Sequence, residues 1–261
     1  MLKFLRGMGL RSGQNEDVAF QAPFMPDTPF YVIGDVHGCD HLLADLLDRI
    51  SDDALDITAP IICAGDYIDR GEDSAAVLRR LHRISTAQDS ILICLMGNHE
   101  EMMLDFLDDP ERHAGLWLRN GGMQTLASFQ INGIRQSMTG RQLRTACAQL
   151  EAALGPELIT WLRSLPNMWS TGNVTVVHAG ADPNRRIDQQ THEVLTWGHA
   201  DFFRAPRVDG QWIVYGHTIV PEVVCTNGRI GVDTGAFATG RLSAASISAT
   251  GISVLTASLD R

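Results

Sequence analysis

Five short apolar runs in this chain are each followed within a few residues by a side chain that can bind a metal ion. The runs are FYVI (30–33), IICA (61–64), ILICLM (91–96), VTVV (174–177) and WIVY (212–215). An uninterrupted apolar run of this length is typical of a strand that is buried on both faces. Helical patterns follow the first three runs, at 40–50, 74–84 and 100–109. This alternation predicts an α/β fold with a largely parallel sheet.

The polar residues after these runs have the chemistry of a site for two metal ions. They are Asp35, His37, Asp66, Asn98, His178 and His217. The carboxyl ends of strands in an open α/β sheet share one edge, so we expect these six side chains to form one cluster. Imidazole and carboxylate ligands without a thiolate suit divalent Mn, Zn or Fe. Six ligands exceed what one catalytic ion needs, but they fit two ions that share a bridging carboxylate.

Each motif has a simpler explanation when it is taken alone. GDVHG (34–38) could be a turn after a strand, and Asn98 could cap a helix. His178 or His217 could be a hydrogen-bonded core histidine. All five motifs occur at positions that are compatible with one sheet edge, and core packing alone rarely produces such a set. The joint pattern therefore favours the metal site.

The stretch IICAGDYIDRG (61–71) places a second aspartate and an arginine just beyond Asp66, the natural bridging ligand. The guanidinium of Arg70 suits the oxygens of a phosphate group. Asp69 can hydrogen-bond an imidazole and keep it protonated, and His99 is the free histidine within reach. We therefore predict that His99 is a general acid that Asp69 orients, and that Arg70 faces a phosphate. A solvated turn arginine is the alternative for Arg70.

The alternation of strand and helix stops near residue 110. Segments 141–154 and 156–165 have helical spacing with no clear strand between them, so we predict a helical insertion over about residues 101–170. Short strand-like runs follow, as far as 241–247. We predict an N-terminal extension at 1–25, either flexible or a short amphipathic surface contact, and a single domain at 26–261.

Composition excludes several classes of protein. The chain carries 21 Lys and Arg against 31 Asp and Glu, a net charge of -10, which disfavours nucleic acid as a partner. Its five cysteines are scattered and form no CxxC motif, as expected in a reducing compartment. No stretch approaches the ~20 apolar residues of a membrane span. We therefore expect a cytoplasmic protein that does not bind membranes.

In their order, five motifs resemble those of the PPP-type metallophosphatases of the calcineurin-like metallophosphoesterase superfamily. They are GDVHG (34–38), GDYIDRG (65–71), GNHE (97–100), HAG (178–180) and GHT (216–218), and VDTG (232–235) is a further likeness. The ordered set is specific, whereas any single motif is weak. The resemblance implies an α/β fold with two central β-sheets sandwiched by helices. It also implies in-line attack at phosphorus by a hydroxide held between two divalent ions, Mn in preference to Fe or Zn.

The resemblance also implies a role for each residue. One ion would be held by Asp35, His37 and Asp66, and the other by Asp66, Asn98, His178 and His217. His99, oriented by Asp69, would protonate the leaving alkoxide, while Arg70 and the amide of Asn98 would hold the phosphate.

Two further segments, WLRNGG (117–122) and LTWGHADFF (195–203), resemble the bacterial and phage branch of the serine/threonine protein phosphatases. Bacterial members often carry Trp-x-Arg where this chain has Trp197-Gly198-His199. The second phosphate contact therefore falls to Arg204, Arg119 or His199, and the alternative is that His199 is only a loop residue.

The sequence thus predicts a metal-dependent phosphomonoesterase that acts on phosphorylated protein or a small phosphoester, most readily a protein serine/threonine phosphatase. A symmetrical diadenosine tetraphosphate hydrolase with the same centre is the alternative. A non-catalytic phosphate-binding relative is a weaker alternative, because His99 and Asp69 are both present.

Overall fold

A computed structural model describes residues 20–53 and 58–259, whose strands form two five-stranded sheets. The first sheet contains β1 (Phe30–Ile33), β2 (Ile61–Cys63), β3 (Leu92–Cys94), β9 (Arg241–Ser248) and β10 (Gly251–Ser258). The second contains β4 (Met168–Thr171), β5 (Val174–Val177), β6 (Trp212–Tyr215), β7 (Val224–Thr226) and β8 (Arg229–Gly231). The strand orders are β10-β9-β1-β2-β3 and β4-β5-β6-β8-β7.

Both sheets are mixed, with a parallel centre and antiparallel strands added at the edges. In the first sheet β1, β2 and β3 are parallel, and Ile62 lies opposite Val32 on one side and Ile93 on the other. The antiparallel pair β9 and β10 continues this sheet beyond β1. In the second sheet β5, β6 and β8 are parallel, while β4 and β7 are antiparallel to their neighbours.

The helices of the structure lie between these strands in the chain. They are α1 (Asp40–Asp52), α2 (Ser74–Ser85), α3 (Asn98–Asp108), α4 (Pro110–Trp117), α5 (Met123–Ser128), α6 (Arg141–Arg163), α7 (His192–Trp197) and α8 (Ala236–Thr239). A π-helical turn at Leu118–Gly122 joins α4 to α5, and a 3-10 turn covers Ile187–Gln189. Within α6 the backbone is not helical at Gly155, which precedes Pro156.

Alternate residues of the strands face two different apolar cores. Phe30 and Val32 of β1 belong to a buried cluster that also contains Val176 and Val214 of the second sheet. The intervening residues, such as Ile33, pack in a separate cluster with the helices outside the first sheet. Successive strand residues point to opposite faces, so both faces of β1 are buried. This burial explains why the strand reads as an uninterrupted apolar run.

The predicted fold class is confirmed: two mixed sheets are flanked by helices. The expectation of a single sheet edge, drawn from the apolar runs, is wrong, because β5 and β6 belong to the second sheet. Two strands were not expected. β4 lies inside the segment predicted to be helical as far as residue 170, and β10 follows the last predicted run.

Residues 20–25 lie within the predicted extension and contact the folded chain. The rings of Phe20 and Phe24 each meet the Trp212 ring edge-on, at centroid distances of 5.2 and 5.1 Å. The main-chain N–H of Met25 donates to Asn173 Oδ1 at 2.8 Å. The rest of the predicted extension, residues 1–19, lies outside the described residues. Among the described helices, none is both long and apolar enough to cross a membrane.

Candidate active site

The six predicted ligands lie together at the carboxyl ends of the parallel strands of both sheets. The side chains that follow the first sheet are Asp35 and His37 after β1, Asp66 after β2, and Asn98 after β3. Those that follow the second sheet are His178 after β5 and His217 after β6. Five of the six are buried, and His217 is half-buried. Three strands of one sheet and two of the other therefore supply one cluster, which we call the donor cluster.

The backbone of the donor cluster is strained. Five of the eight non-glycine residues with positive φ in the described chain lie in or beside it. They are His37, Asp66, Asp69, Arg70 and His217, with φ between 42° and 71°. Non-glycine residues adopt this conformation at a cost, and such residues concentrate at functional sites. The sharp turns after β1, β2 and β6 direct these side chains to one point.

Glycines flank the ligands because the backbone approaches them closely. A Cβ at Gly97 would overlap the main-chain nitrogen and Oδ1 of Asp66. A Cβ at Gly216 would overlap Asp35 Oδ1. A residue without a Cβ is therefore needed at both positions, and each position lies in one of the predicted motifs.

One half of the donor cluster is built around Asn98. Its Oδ1 lies 2.9 Å from His178 Nε2 and 2.9 Å from His217 Nδ1. His178 Nε2 is also 3.3 Å from Asp66 Oδ1. Separations near 3 Å are expected between neighbouring ligands of one ion when the metal–ligand bonds are about 2.1 Å. The spacing of these atoms therefore fits a single divalent ion.

The other half is built around the second oxygen of Asp66. Asp66 Oδ2 lies 3.5 Å from His37 Nε2 and 3.8 Å from His99 Nε2. Asp66 thus belongs to both groups of donor atoms, as a bridging ligand must. Asp35 belongs to neither group. Its two oxygens accept the main-chain N–H of His217 at 3.0 and 2.9 Å.

Hydrogen bonds leave the imidazoles ready to bind a metal. His178 Nδ1 lies 2.9 Å from Ala64 O, and His37 Nδ1 lies 2.7 Å from Ile68 O. A carbonyl oxygen only accepts, so both rings carry hydrogen on Nδ1 and turn the lone pair of Nε2 toward Asp66. Burial lowers the pKa of His37 to about 3, and burial together with His178 lowers the pKa of His217 to about 4. The rings of His37 and His217 are therefore neutral near pH 7, as metal ligation requires.

The buried carboxylates of the site would be stabilised by nearby positive charge. Burial, Asp233 and Asp66 raise the pKa of Asp35 well above its usual value, and burial raises the pKa of Asp233 to about 6. Burial alone would also raise the pKa of Asp66. The imidazoles of His178, His99 and His37 outweigh it and lower the pKa of Asp66 below its usual value. Carboxylates this close are costly without cations between them. The donor set therefore fits divalent metal ions in its chemistry, its spacing and its charge.

His99 and Asp69, which we predicted to be a general acid and its orienting carboxylate, lie in contact. His99 Nδ1 lies 2.6 Å from Asp69 Oδ2, and both side chains are buried. Burial opposes a charged imidazole, but Asp66 and the hydrogen bond to Asp69 raise the pKa of His99. Because Nδ1 is bound to Asp69, the proton available for transfer is the one on Nε2.

Arg70 lies across the entrance to the donor cluster. Its Nη1 is 3.1 Å from His37 Nε2, and its Nη2 is 3.1 Å from His99 Nε2. The guanidinium carbon lies 4.9 Å from the centre of the Phe237 ring, which the sequence analysis did not identify. Stacking on an aromatic ring favours a guanidinium in this position.

Glu100 entered the sequence analysis only as the last residue of GNHE, and its contacts show that it has a structural role. One oxygen accepts the main-chain N–H of Asp66 at 2.8 Å and that of Gly97 at 3.2 Å. The other accepts from Tyr67 at 2.8 Å and from Ile68 at 3.3 Å. Burial and Asp66 raise the pKa of Glu100 to about 8, while its amide partners favour the ionised form. Glu100 therefore holds the loop after β2 against the start of α3.

Asp69 has two partners that sequence reasoning missed. Trp117 Nε1 donates to both carboxylate oxygens, at 3.1 and 3.0 Å, and Thr125 Oγ1 donates to Oδ1 at 2.6 Å. These residues are 48 and 56 positions away along the chain. The WLRNGG motif marks this region, but its sequence does not say which side chain it contacts.

Within the described residues, no hydrogen bond or ion pair joins the three candidates for the second phosphate contact to the donor cluster. His199 Nε2 is 3.9 Å from Asp182 Oδ2, and its Nδ1 accepts the main-chain N–H of Asp201. Arg119 and Arg204 are exposed on the surface. The Arg119 side chain lies beside Gly115 of its own helical segment. A Cβ added at Gly115 would be 3.4 Å from Arg119 Nη1.

Two cavities open beside the donor cluster. A cavity of about 580 Å³ is lined by Arg70, Phe237 and Leu259 among others. A second, of about 270 Å³, is lined by His217, His199 and Trp197 among others. The larger begins at Arg70 and the smaller at His217. A substrate could therefore extend from the cluster in two directions.

Comparison with known proteins agrees with this geometry. The family model described as calcineurin-like phosphoesterase matches residues 28–221 of the 261. A symmetrical bis(5'-nucleosyl)-tetraphosphatase from Ralstonia nicotianae is 29% identical, covering 83% of this chain and 88% of that protein. Serine/threonine-protein phosphatase 2 from Salmonella typhimurium is 27% identical, covering 82% of this chain and 90% of that protein.

Other matches extend this picture. A symmetrical bis(5'-nucleosyl)-tetraphosphatase from Aromatoleum aromaticum is 28% identical over 66% of this chain, which spans 54% of that protein. Among solved structures, the cold-active protein-tyrosine phosphatase of Shewanella sp. superposes with a TM-score of 0.57 and 18% identity. The match covers 90% of this chain and 83% of that one, so the two chains share a fold.

We expect Glu100→Gln to lower the free energy of unfolding by about 1–3 kcal/mol, because the new amide would direct N–H groups at main-chain N–H donors. Loosening of the Asp66 loop should also lower the amount of divalent metal that the protein binds. Urea denaturation and metal analysis of the purified protein measure both effects. Glu101→Gln is the matched control, since the half-buried side chain of Glu101 bonds only the side chains of Trp197 and His192 in the described chain. Equal stability and metal content in the two variants would contradict the role of Glu100.

Proposed function

Because this chain belongs to the calcineurin-like phosphoesterase family, we propose that it is a metal-dependent phosphatase of phosphoserine and phosphothreonine in proteins. The observation that carries this choice is the buried contact of 2.6 Å between His99 Nδ1 and Asp69 Oδ2. This contact prepares a proton donor beside the donor cluster. The family resemblance to Salmonella serine/threonine-protein phosphatase 2 supports the same substrate class.

The donor cluster would hold two divalent ions. On the family resemblance we assign one to Asp35, His37 and Asp66, and the other to Asp66, Asn98, His178 and His217. When bound, such ions polarise a phosphoryl group and lower the pKa of water. Mn²⁺ is the activator we propose, with Fe or Zn as alternatives, because the set offers imidazole and carboxylate but no thiolate.

Arg70 would bind the phosphate oxygens with its two guanidinium nitrogens, and the amide of Asn98 would add a further contact. In the structure the guanidinium donates to Nε2 of both His37 and His99. An imidazole that accepts a hydrogen bond at Nε2 carries no proton there. Recruitment of Arg70 to the phosphate would therefore free His99 Nε2 to take up a proton from solvent.

His99 would then donate its Nε2 proton to the leaving oxygen, while Asp69 stabilises the charged ring. A serine or threonine alkoxide is a poor leaving group and needs this proton. A nucleoside diphosphate leaves as a stable anion near neutral pH and needs it much less. A well-built proton donor therefore favours an alkoxide leaving group.

A second phosphate contact would come from His199, which lines the 270 Å³ cavity together with His217. Arg119 and Arg204 are exposed, and the structure gives neither a hydrogen bond to the donor cluster within the described residues. We therefore prefer His199 to the two arginines for this role.

Symmetrical hydrolysis of diadenosine tetraphosphate is the second candidate. Two observations favour it: the likeness to the Ralstonia tetraphosphatase and the presence of a cavity on each side of the donor cluster. A dinucleotide cut at its centre extends in two directions from the reacting phosphorus, whereas a phosphomonoester extends in one. The aromatic rings of Phe237 and Trp197 could each stack with a base.

We also propose that the protein works in a reducing compartment such as the cytoplasm. All five cysteines are unpaired, and four of them are buried. Free thiols persist where glutathione and thioredoxin keep them reduced.

The deciding experiment compares turnover of the Mn²⁺-loaded protein on a panel of phosphoserine and phosphothreonine peptides and on diadenosine tetraphosphate. We expect the higher kcat/KM with a phosphopeptide. A higher kcat/KM with the dinucleotide, giving two ADP, would replace the first candidate by the second. No turnover of either substrate by metal-loaded protein would refute both.

We expect chelation to abolish turnover and added Mn²⁺ to restore it, because the carboxylates and imidazoles of the donor cluster have no other means of binding a phosphate anion. Asp66→Asn should lower the bound metal more than His37→Asn, since only Asp66 belongs to both groups of donor atoms. Metal analysis and phosphate release measure these effects. Full activity in demonstrably metal-free protein would rule out the metal-dependent mechanism.

We expect Arg70→Ala to lower kcat/KM by roughly ten- to a few-hundredfold, because a charge-assisted contact is worth about 1.5–3 kcal/mol. Arg70→Lys should recover little of this loss, since an ammonium cannot make two parallel contacts. Arg49→Ala is the control, because Arg49 pairs with Asp45 on the surface. Steady-state kinetics with a phosphopeptide decide the matter, and an Arg70→Ala protein as active as the control would remove Arg70 from the site.

A further inference from the structure

The carboxylate of Asp69 is surrounded by hydrogen-bond donors from outside the five motifs that supply the donor cluster. Trp117 Nε1 lies 3.1 and 3.0 Å from its two oxygens, and Thr125 Oγ1 lies 2.6 Å from Oδ1. Asp69, Trp117 and Thr125 are all fully buried. From this geometry we propose that Trp117 and Thr125 are positioning residues that keep Asp69 ionised and aimed at His99. The proposal rests on the proposed function of His99 as the proton donor.

The donors select one charge state of Asp69. An indole N–H can only donate, and the Thr125 hydroxyl donates at a distance typical of a bond to an ionised acceptor. Together with His99 Nδ1, three groups direct hydrogen atoms at two oxygens. A proton on Asp69 would compete with one of these donors. The arrangement is satisfied in full only by the carboxylate, which is the form that stabilises a charged His99.

Thr125 also fixes the backbone of Asp69. Its Oγ1 accepts the main-chain N–H of Asp69 at 2.9 Å, and Ser74 Oγ lies 3.0 Å from the same nitrogen. Asp69 has a φ of 71°, which is unfavourable for a residue with a side chain. One hydroxyl therefore holds both the strained main chain and the carboxylate of Asp69.

The WLRNGG segment brings these donors to Asp69. Trp117 ends α4, Thr125 lies in α5, and the π-helical turn Leu118–Gly122 joins them. Gly121 has a φ of 111°, and a Cβ there would lie 2.5 Å from the main-chain nitrogen of Arg70. A Cβ at Gly122 would lie 2.6 Å from the Trp117 ring. The two glycines thus allow the segment to close around Asp69 and Arg70, which links the helices after α3 to the chemistry.

Dependence on the leaving group distinguishes a positioning role from a loss of structure. We expect Thr125→Val and Trp117→Phe each to lower kcat for a phosphoserine peptide by about ten- to a hundredfold, with little change in KM. The loss should be under about threefold for p-nitrophenyl phosphate, whose leaving group needs little protonation. His99→Asn should show the same pattern more strongly.

Two control variants separate the hydrogen bonds from the packing. Thr125→Ser keeps the hydroxyl and should retain most of the activity. Phe106→Leu loosens the ring contact of 4.9 Å with Trp117 but removes no donor, so it should affect both substrates alike. Thr125→Val in a His99→Asn background should cause no further loss of kcat, because both changes act through the same proton. If Trp117→Phe does not fold, the Val and Ser variants of Thr125 still carry the test, because valine has nearly the shape of threonine and serine keeps its hydroxyl.

Three results would each overturn the positioning role. They are equal losses of kcat on both substrates, an additive loss in the His99→Asn background, and low activity of Thr125→Ser. Failure of the proposed function looks different, because the wild-type protein would then not hydrolyse the phosphopeptide. In that case a series of phenyl phosphates of rising leaving-group pKa replaces the peptide. A steeper fall of kcat along the series for Thr125→Val than for wild type would support the role, and parallel falls would overturn it.

Discussion

One buried carboxylate holds together the loops on which the site depends. Glu100, in the first turn of α3, accepts main-chain N–H groups from Asp66, Tyr67, Ile68 and Gly97. It reaches both loops because β2 and β3 are parallel neighbours, whose loops leave the sheet side by side. The same turn of α3 carries Asn98 and His99. Glu100 thus ties the loop that carries Asp66 to the helix turn that carries Asn98 and His99.

The sequence identified the polar residues of the site because burial left a simple pattern. Strands covered on both faces, such as β1 and β6, read as uninterrupted apolar runs, so the polar residues beyond them stood out. The division into two sheets was not visible in that pattern. A strand carries the same apolar signature whichever sheet it joins, and the resemblance to a family supplied what the spacing could not.

Other features could not be predicted from the sequence, for physical reasons. β4 is only partly covered and its residues are mostly polar or exposed, so Met168–Thr171 lacked the apolar run that marked the other strands. β10 is similarly exposed along much of its length. The partners of Asp69 lie 48 and 56 positions away, and such contacts depend on how helices pack rather than on local spacing. Phe237 likewise reaches Arg70 only through the fold.

In the proposed mechanism, Arg70 would link substrate binding to the supply of a proton. Its guanidinium lies between His37 and His99 and stacks on Phe237, where it adds positive charge beside the buried carboxylates. A phosphate that draws the guanidinium away would free His99 Nε2 to take up a proton while a leaving group lies beside it. Asp69, held by Trp117 and Thr125, would then stabilise the charged imidazole. A site so arranged would supply its proton only with a phosphate bound, and that proton matters most when the leaving oxygen is an alkoxide.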